Sequence, residues 1–307
     1  MTDVLRDAFR DALVVVTGGG GFVGGHLAHA LLRAGARLRI VSRHPEKAWS
    51  LRTEGDPGQV EFARADLRDA AGVARALSGA DAVVNLVGLF SGPLDAVQGR
   101  GVESLARAAR EAGAGAFVHI SAIGADAASP VPYASSKAAG EVAVLAGFPG
   151  ATILRPSVIF GPDDNFLNMC ARMMRMISAL PLPPLLPVFV PDGLLQPVLV
   201  DDVARAIVAA LADPARHDGH TYELGGPEVV SMLELNQRIA RALGKKIHLL
   251  PMPDLAARIF AALPGTPISA DQIALLKAGS VVGQGAQGFA ALGITPRPMG
   301  LYLDRWF

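Results

Sequence analysis

The stretch VVVTGGGGFVGGHLAHAL, residues 14–31, decides the fold. A run of β-branched residues meets a glycine cluster and then a Leu/Ala pattern of helical period, so a buried strand turns directly into a helix. Gly18, Gly21 and Gly24 fall on the turn and the first helical turn, with Thr17 before them and Phe22 and Val23 between. Three demands favour glycine in such a place. A tight turn needs positive φ, a pyrophosphate can approach only a backbone without Cβ, and a helix N-terminus offers free N–H groups to an anion. A glycine triplet is a weak signal in a chain with 34 glycines; its position between strand and helix near the N-terminus gives it weight. The segment reads as a nucleotide pyrophosphate site.

Outward from this loop, the first half of the chain alternates short apolar runs with Ala- and Leu-rich helical patterns. ALVVVTG, RLRIVSR, VEFARAD, DAVVNLVG, AFVHIS and ATILRPS are the strands. Alternation of this kind builds βαβ units with right-handed crossovers, hence an α/β fold: a Rossmann-type doubly wound parallel sheet covered on both faces. After Pro156 the rhythm changes to a Met-rich helix, a proline-rich apolar stretch, a strand-like QPVLV and helices near 201–212 and 231–243. The expected organisation is an NAD(P)-binding Rossmann domain over residues 1–160 and a small α/β lobe over 161–307, with the strand near 197–200 and helix 201–212 packing back on the first domain.

The second strand bears on the dinucleotide. An NAD site usually carries Asp or Glu near the end of this strand, about 20 residues beyond the loop, to accept from the ribose hydroxyls. Here Ser42 and Arg43 stand at that end, with Lys47 behind. A guanidinium pairs with a 2′-phosphate and gains nothing comparable from a hydroxyl, so NADP(H) is expected over NAD(H). The bland alternative is that Arg43 is a solvated strand-end charge.

Composition narrows the partners. Lys+Arg and Asp+Glu are both 28, so net charge is zero and no global field or basic cluster favours nucleic acid. Cys170 is the one cysteine, which rules out an internal disulfide and a thiolate zinc site and fits a reducing cytoplasm. His26 and His29 share a helix face without a carboxylate ligand pattern, so no metal site is expected. The N-terminus, with Asp3, Asp7 and Asp11 ahead of a short apolar run, is too acidic for a signal or transit peptide, and no segment approaches the roughly 20 apolar residues of a spanning helix.

SPVPYASSKAAGE, residues 129–141, places Tyr133 and Lys137 one helical turn apart on one face. A free Tyr, pKa about 10, is a sluggish acid at neutral pH; an ammonium one turn away is expected to lower that value and make proton transfer to a substrate oxygen feasible. The alternative is that both persist as ribose contacts without turnover.

These pieces resemble a known family. TGxxGxxG at Thr17–Gly24, ADL at Ala65–Leu67, NLVG at Asn85–Gly88 and YASSK at Tyr133–Lys137 are similar to the extended and atypical short-chain dehydrogenase/reductases, the NAD-dependent epimerase/dehydratase-like group. HISAIGAD, ILRPSVIFGPDDNFLN, QPVLVDDVARAI and YELGGPEV resemble bacterial relatives of the NADPH-binding accessory subunit of respiratory complex I, its alpha-subcomplex subunit nine. The resemblance runs from about residue 13 to about residue 243.

The resemblance implies roles for particular residues. Gly18, Gly21 and Gly24 would hold the pyrophosphate, Arg43 the adenosine phosphate, and Asp66 and Leu67 the adenine. Asn85, Leu86, Val87 and Gly88 would line the sugar and nicotinamide side. Lys137 would grip the nicotinamide ribose, with Pro156 and Ser157 beside the nicotinamide. Active relatives carry a hydroxyl just beyond the fifth strand; here Ser121 stands at the strand end, followed by Ala122 and Ile123, and the link to Tyr133 is short. Ser121 could substitute for that hydroxyl. Two functions therefore stand side by side. One is an NADP(H)-binding accessory or assembly-type protein of complex I or of a quinone-biosynthesis assembly, with little or no turnover. The other is an NADP-dependent oxidoreductase or epimerase using Tyr133, Lys137 and Ser121 on a carbonyl, sugar-nucleotide or quinone-precursor substrate.

FLNMCARMMRMISALPLPPLLPVFVPDG, residues 166–193, has no acid before Asp192 and only Arg172 and Arg175 as charges. It reads as core of the lobe, as a partner or peripheral membrane surface, or as a substrate pocket. Tyr302 and Trp306 in the C-terminal GLYLDRWF either seal the lobe or dock a partner.

Overall fold

Leu13–Thr17 forms β1, buried on both faces in a seven-stranded sheet. The computed structural model describes residues 8–181, 183–262 and 269–306; Asp3, Asp7, Leu182 and Phe307 of the segments read above lie outside these. In chain order follow α1 (Phe22–Arg33), β2 (Arg37–Ser42), β3 (Val60–Arg64), α2 (Ala70–Ala76), β4 (Ala82–Asn85), α3 (Arg100–Glu111), β5 (Ala116–Ile120), α4 (Pro132–Gly147) and β6 (Thr152–Pro156). The order across the sheet is β3-β2-β1-β4-β5-β6, completed by the strand Thr221–Leu224. The ladders from β3 to β6 are parallel. Ile153 N–H donates to the His220 carbonyl and Ser157 N–H to that of Leu224, a register that climbs in the same direction.

This is a Rossmann-type doubly wound sheet, and its strand order reverses between β1 and β4. A crevice outside the carboxyl ends of the strands opens at such a point. Helices hold the sheet by apolar stripes: α3 buries Val102, Leu105, Ala106 and Ala109 at helical spacing. Burial of a Leu such as Leu105, fully enclosed, stabilises by about 2 kcal/mol.

The chain folds into two compact units. The first gathers Met1–Pro156, Val200–Glu223 and Ala286–Thr295; the second gathers Ser157–Leu199, Leu224–Gly285 and Pro296–Phe307. Helix Val200–Ala212 lies in the first unit and packs on α1. The strand expected near 197–200 to join the first domain belongs instead to the second unit, where Val198–Leu199 finds its backbone partners in Ile159–Phe160, in parallel.

In the second unit, helix Phe166–Ser178 turns Leu167, Cys170, Ala171 and Met174 into a core with Leu186, Val188, Leu235 and Ile239. Cys170 is buried there and its thiol is pushed up to about 12 by burial, so it packs as a small apolar group. Met176 on this helix and Leu180 and Leu185 in the segment after it are more than half exposed, so the stretch is part core and part open. Trp306 packs against Phe160 and Tyr302. Among the described residues no helix is long and apolar enough to cross a membrane.

Candidate functional site

The glycine loop leaves β1 at Thr17. Gly18 has φ +75°, its N–H donates to the Val41 carbonyl at 2.9 Å, and a Cβ there would lie 3.1 Å from the backbone of Leu86 and Val87. Gly21 ends the turn in extended conformation (φ −92°, ψ 179°) as the N-cap of α1. The three glycines differ in what they meet. A Cβ on Gly24 would sit 2.3 Å from the Gly19 carbonyl oxygen, whereas one on Gly21 would meet nothing nearer than 3.4 Å. Gly24 serves packing of the helix on its own turn; the space at Gly21 is left for something else. Beyond it Phe22 and Val23 open α1, where N–H groups lack a carbonyl one turn earlier.

Beneath the loop runs a buried polar chain. The Thr17 hydroxyl donates to Asn85 Oδ1 at 2.9 Å, the Val87 N–H donates to the same oxygen at 3.1 Å, and Asn85 Nδ2 lies 3.0 Å from His119 Nδ1. The amide donates there, so His119 carries its proton on Nε2, and burial holds its pKa down to about 3. Asn85 is thus a strut joining β1, β4 and β5, and Leu86, Val87 and Gly88 are what the loop presents.

Gln98 fixes the next residues: its Oε1 accepts from Leu89 N–H and its Nε2 donates to Ser136 Oγ, both at 2.7 Å. Gln98 lies in a π-helical turn, Asp95–Gly99, of the kind that recurs beside functional sites.

Lys137 is buried, and its Nζ donates to the Ile120 carbonyl at 3.0 Å; a Cβ on Gly88 would lie 3.2 Å from that nitrogen. Burial lowers its pKa to about 8, opposed by the charge of Glu141 one turn on. Glu141 in turn takes a bidentate pair from Arg155 at 2.8 and 2.6 Å. Tyr133 departs from expectation. Its phenol is pushed up to about 12 by burial; the Lys137 ammonium is directed at a carbonyl, and Phe90 stacks on the ring at 4.7 Å and 15°. Ser121 is 3% exposed, and its Oγ has no hydrogen-bond partner among the described residues.

At the far side of the loop, Ser42 is half-buried and Arg43 exposed at the end of β2. Asp66 is gripped by Arg68 at 3.0 and 2.6 Å, which with further attraction from Arg43 brings its carboxyl down to about 2. Leu67 is buried against α3 at Gly101. Pro156 ends β6 and its carbonyl accepts from Ile123 N–H. Ser157 opens the second unit, where its hydroxyl donates to the Ser280 carbonyl at 2.6 Å.

The first unit therefore brings Gly18, Leu86–Gly88, Ser121, Tyr133 and Lys137 together at the carboxyl ends of β1, β4 and β5, with Ser42, Arg43 and Asp66 at those of β2 and β3. The open position at Gly21, the orphan Ser121 hydroxyl and the acid-free end of β2 fit a dinucleotide. Phe90, Gln98, His119 and Glu141 went unread in the sequence, because their burial and partners are set by contacts between elements distant in the chain.

The sequence pattern of the NAD dependent epimerase/dehydratase family matches residues 14–225. The chain is 32% identical over 317 residues to NADH dehydrogenase (ubiquinone) 1 alpha subcomplex subunit 9, mitochondrial, of Arabidopsis thaliana, covering 96% of this chain and 77% of that protein. It is 31% identical to a ceramide reductase of Caulobacter vibrioides over 79% of this chain and 74% of that one. In fold it is similar to the Citrobacter sp. triphenylmethane reductase complexed with NADP(H), with TM-score 0.74, 20% identity and coverage of 96% and 100%. With the glycine turn, the Tyr133–Lys137 helix and the seven-stranded sheet in place, this chain belongs to the NAD dependent epimerase/dehydratase family, as an atypical short-chain dehydrogenase/reductase homologous to the complex I subunit.

Proposed function

We propose that this protein binds NADP(H) chiefly as a fold-completing ligand and serves complex I or another quinone-linked assembly, with little turnover of its own. The observation that carries the reading is the state of the pair: Lys137 gives its ammonium to the Ile120 carbonyl while Tyr133, under Phe90, is pushed to about 12. A phenol so weakly acidic transfers a proton slowly at neutral pH. Similarity to complex I subunits over nearly the whole chain supports the same side. The exposed Met176, Leu180 and Leu185, next to Arg172 and Arg175, suit a peripheral site on the cytoplasmic face of a membrane.

The preference for NADP(H) rests on Arg43, exposed at the end of β2 with no acid at the strand end. Arg43→Glu is expected to weaken NADPH binding roughly thirtyfold, about 2 kcal/mol, and to leave NADH binding equal or better in a fluorescence titration. Equal loss for both nucleotides would assign Arg43 to the fold.

Tyr133→Phe is expected to keep NADPH affinity within about twofold and to keep cellular function. The nicotinamide signal with wild type should persist over hours with a panel of carbonyl compounds. One specific observation favours the second reading, an active reductase: the buried Ser121 hydroxyl has no partner among the described residues and is available to a substrate oxygen. The similarity to a ceramide reductase points the same way. Oxidation of NADPH that Tyr133→Phe abolishes would establish that reading and overturn the first.

A further inference from the structure

We infer that the Tyr133 site of the first unit recognises an apolar carbonyl compound, aromatic or long-chain, and that Phe90 is its specificity-determining residue. The inference deepens the second reading above, the reductase, and rests on the nicotinamide end of a dinucleotide lying at Ser121 and Lys137. Two loops bound this place. One, LVGLFSGPL (86–94), follows β4 and carries no charged residue. The other, SAIGADAASPV (121–131), runs from Ser121 into α4 and carries only Asp126, whose Oδ1 accepts from the Ala128 N–H and so closes its own turn.

Phe90 is 70% exposed yet has a defined posture, nearly parallel to the Tyr133 ring at 4.7 Å. Two residues leading into it are pinned, Val87 by Asn85 and Leu89 by Gln98, so the ring projects from a fixed base. Phe90 thus offers a ligand a flat apolar face beside the Tyr133 phenol. The same two loops add Val87, Leu89, Ala122 and Ile123, all partly exposed, with Val87 and Leu89 also packed against the core beneath. Among them Ser121 Oγ supplies a polar atom without a partner among the described residues, which a carbonyl oxygen can satisfy. A sugar nucleotide presents many hydroxyls and would leave them unpaired against such loops.

The test compares wild type, Phe90→Ala and Phe90→Leu, each loaded with NADPH, binding 2-acetylnaphthalene, 2-tridecanone and UDP-glucose. Because Phe90 is exposed, both variants are expected to fold and to bind NADPH as wild type does. At least one apolar ketone should bind wild type and lose about tenfold in Phe90→Ala, with Phe90→Leu intermediate; the aromatic ketone falling more than the aliphatic one would identify stacking, and equal falls an alkyl-chain site. UDP-glucose should bind none of the three. Unchanged ketone binding in Phe90→Ala, no ketone binding to wild type, or tighter binding of UDP-glucose than of either ketone would each overturn the inference. Failure of wild type to bind NADPH would instead overturn the nucleotide reading itself, so the two failures are separate.

Discussion

Gly24→Ala should lower the thermal unfolding midpoint by roughly 5–10 °C, a loss of about 3 kcal/mol or more. The added methyl would lie 2.3 Å from the Gly19 carbonyl oxygen and 2.5 Å from its carbon. Both are backbone atoms, so no side chain can rotate away; either the turn or α1 must move. A shift of the turn pulls on Gly18, whose N–H is bonded to Val41, and through it on the junction of β1 and β2. A shift of α1 disturbs Leu27, Ala28 and Leu31, which are fully buried. Calorimetry of wild type and variant without nucleotide checks this. An unchanged midpoint would mean that the helix can slide on its turn, and the packing role of Gly24 would be lost.

Gly21→Val is expected to do the opposite: to keep the fold and remove the nucleotide. The backbone at Gly21 is extended, a conformation valine adopts freely, and the new Cβ would meet only the Gly18 carbonyl oxygen at 3.4 Å. The unfolding midpoint without nucleotide should therefore move by no more than about 2 °C. The branched side chain would project beside the N-terminus of α1, where a pyrophosphate must approach the N–H groups of the first turn. Loss of those charge-assisted contacts is expected to weaken NADPH by at least a hundredfold, about 2.7 kcal/mol. Titration by nicotinamide fluorescence, beside calorimetry, reads both halves. A variant that binds NADPH like wild type would move the pyrophosphate away from this turn; a variant that unfolds would make Gly21 a packing residue like Gly24.

The pair of glycine variants separates the nucleotide from the fold, and Tyr133→Phe then separates binding from chemistry. A protein that tolerates the tyrosine change but fails with Gly21→Val uses its nucleotide as a ligand. One that fails with both is a reductase, and the apolar loops around Phe90 become its substrate wall.

Much of this was legible in the residues themselves. The run VVVTG is apolar on both faces and β-branched, and AFVHI is nearly so, which only a strand covered from two sides can use, and the glycine spacing after the first of them locates the turn. The four-residue step from Tyr133 to Lys137 puts both on one helix face wherever that helix goes. Such features depend on neighbours in sequence. Tertiary structure decided the rest. That Lys137 points at Ile120, that Phe90 lies on Tyr133 and that Asn85 is spent on Thr17 and His119 are contacts across 17, 43, 68 and 34 residues of chain. The expected fall in the Tyr133 pKa became a rise because the phenol is desolvated by what packs around it. Spacing along a helix says which side chains share a face, but desolvation and competing partners are set by the elements that pack against that face, and no local pattern encodes them.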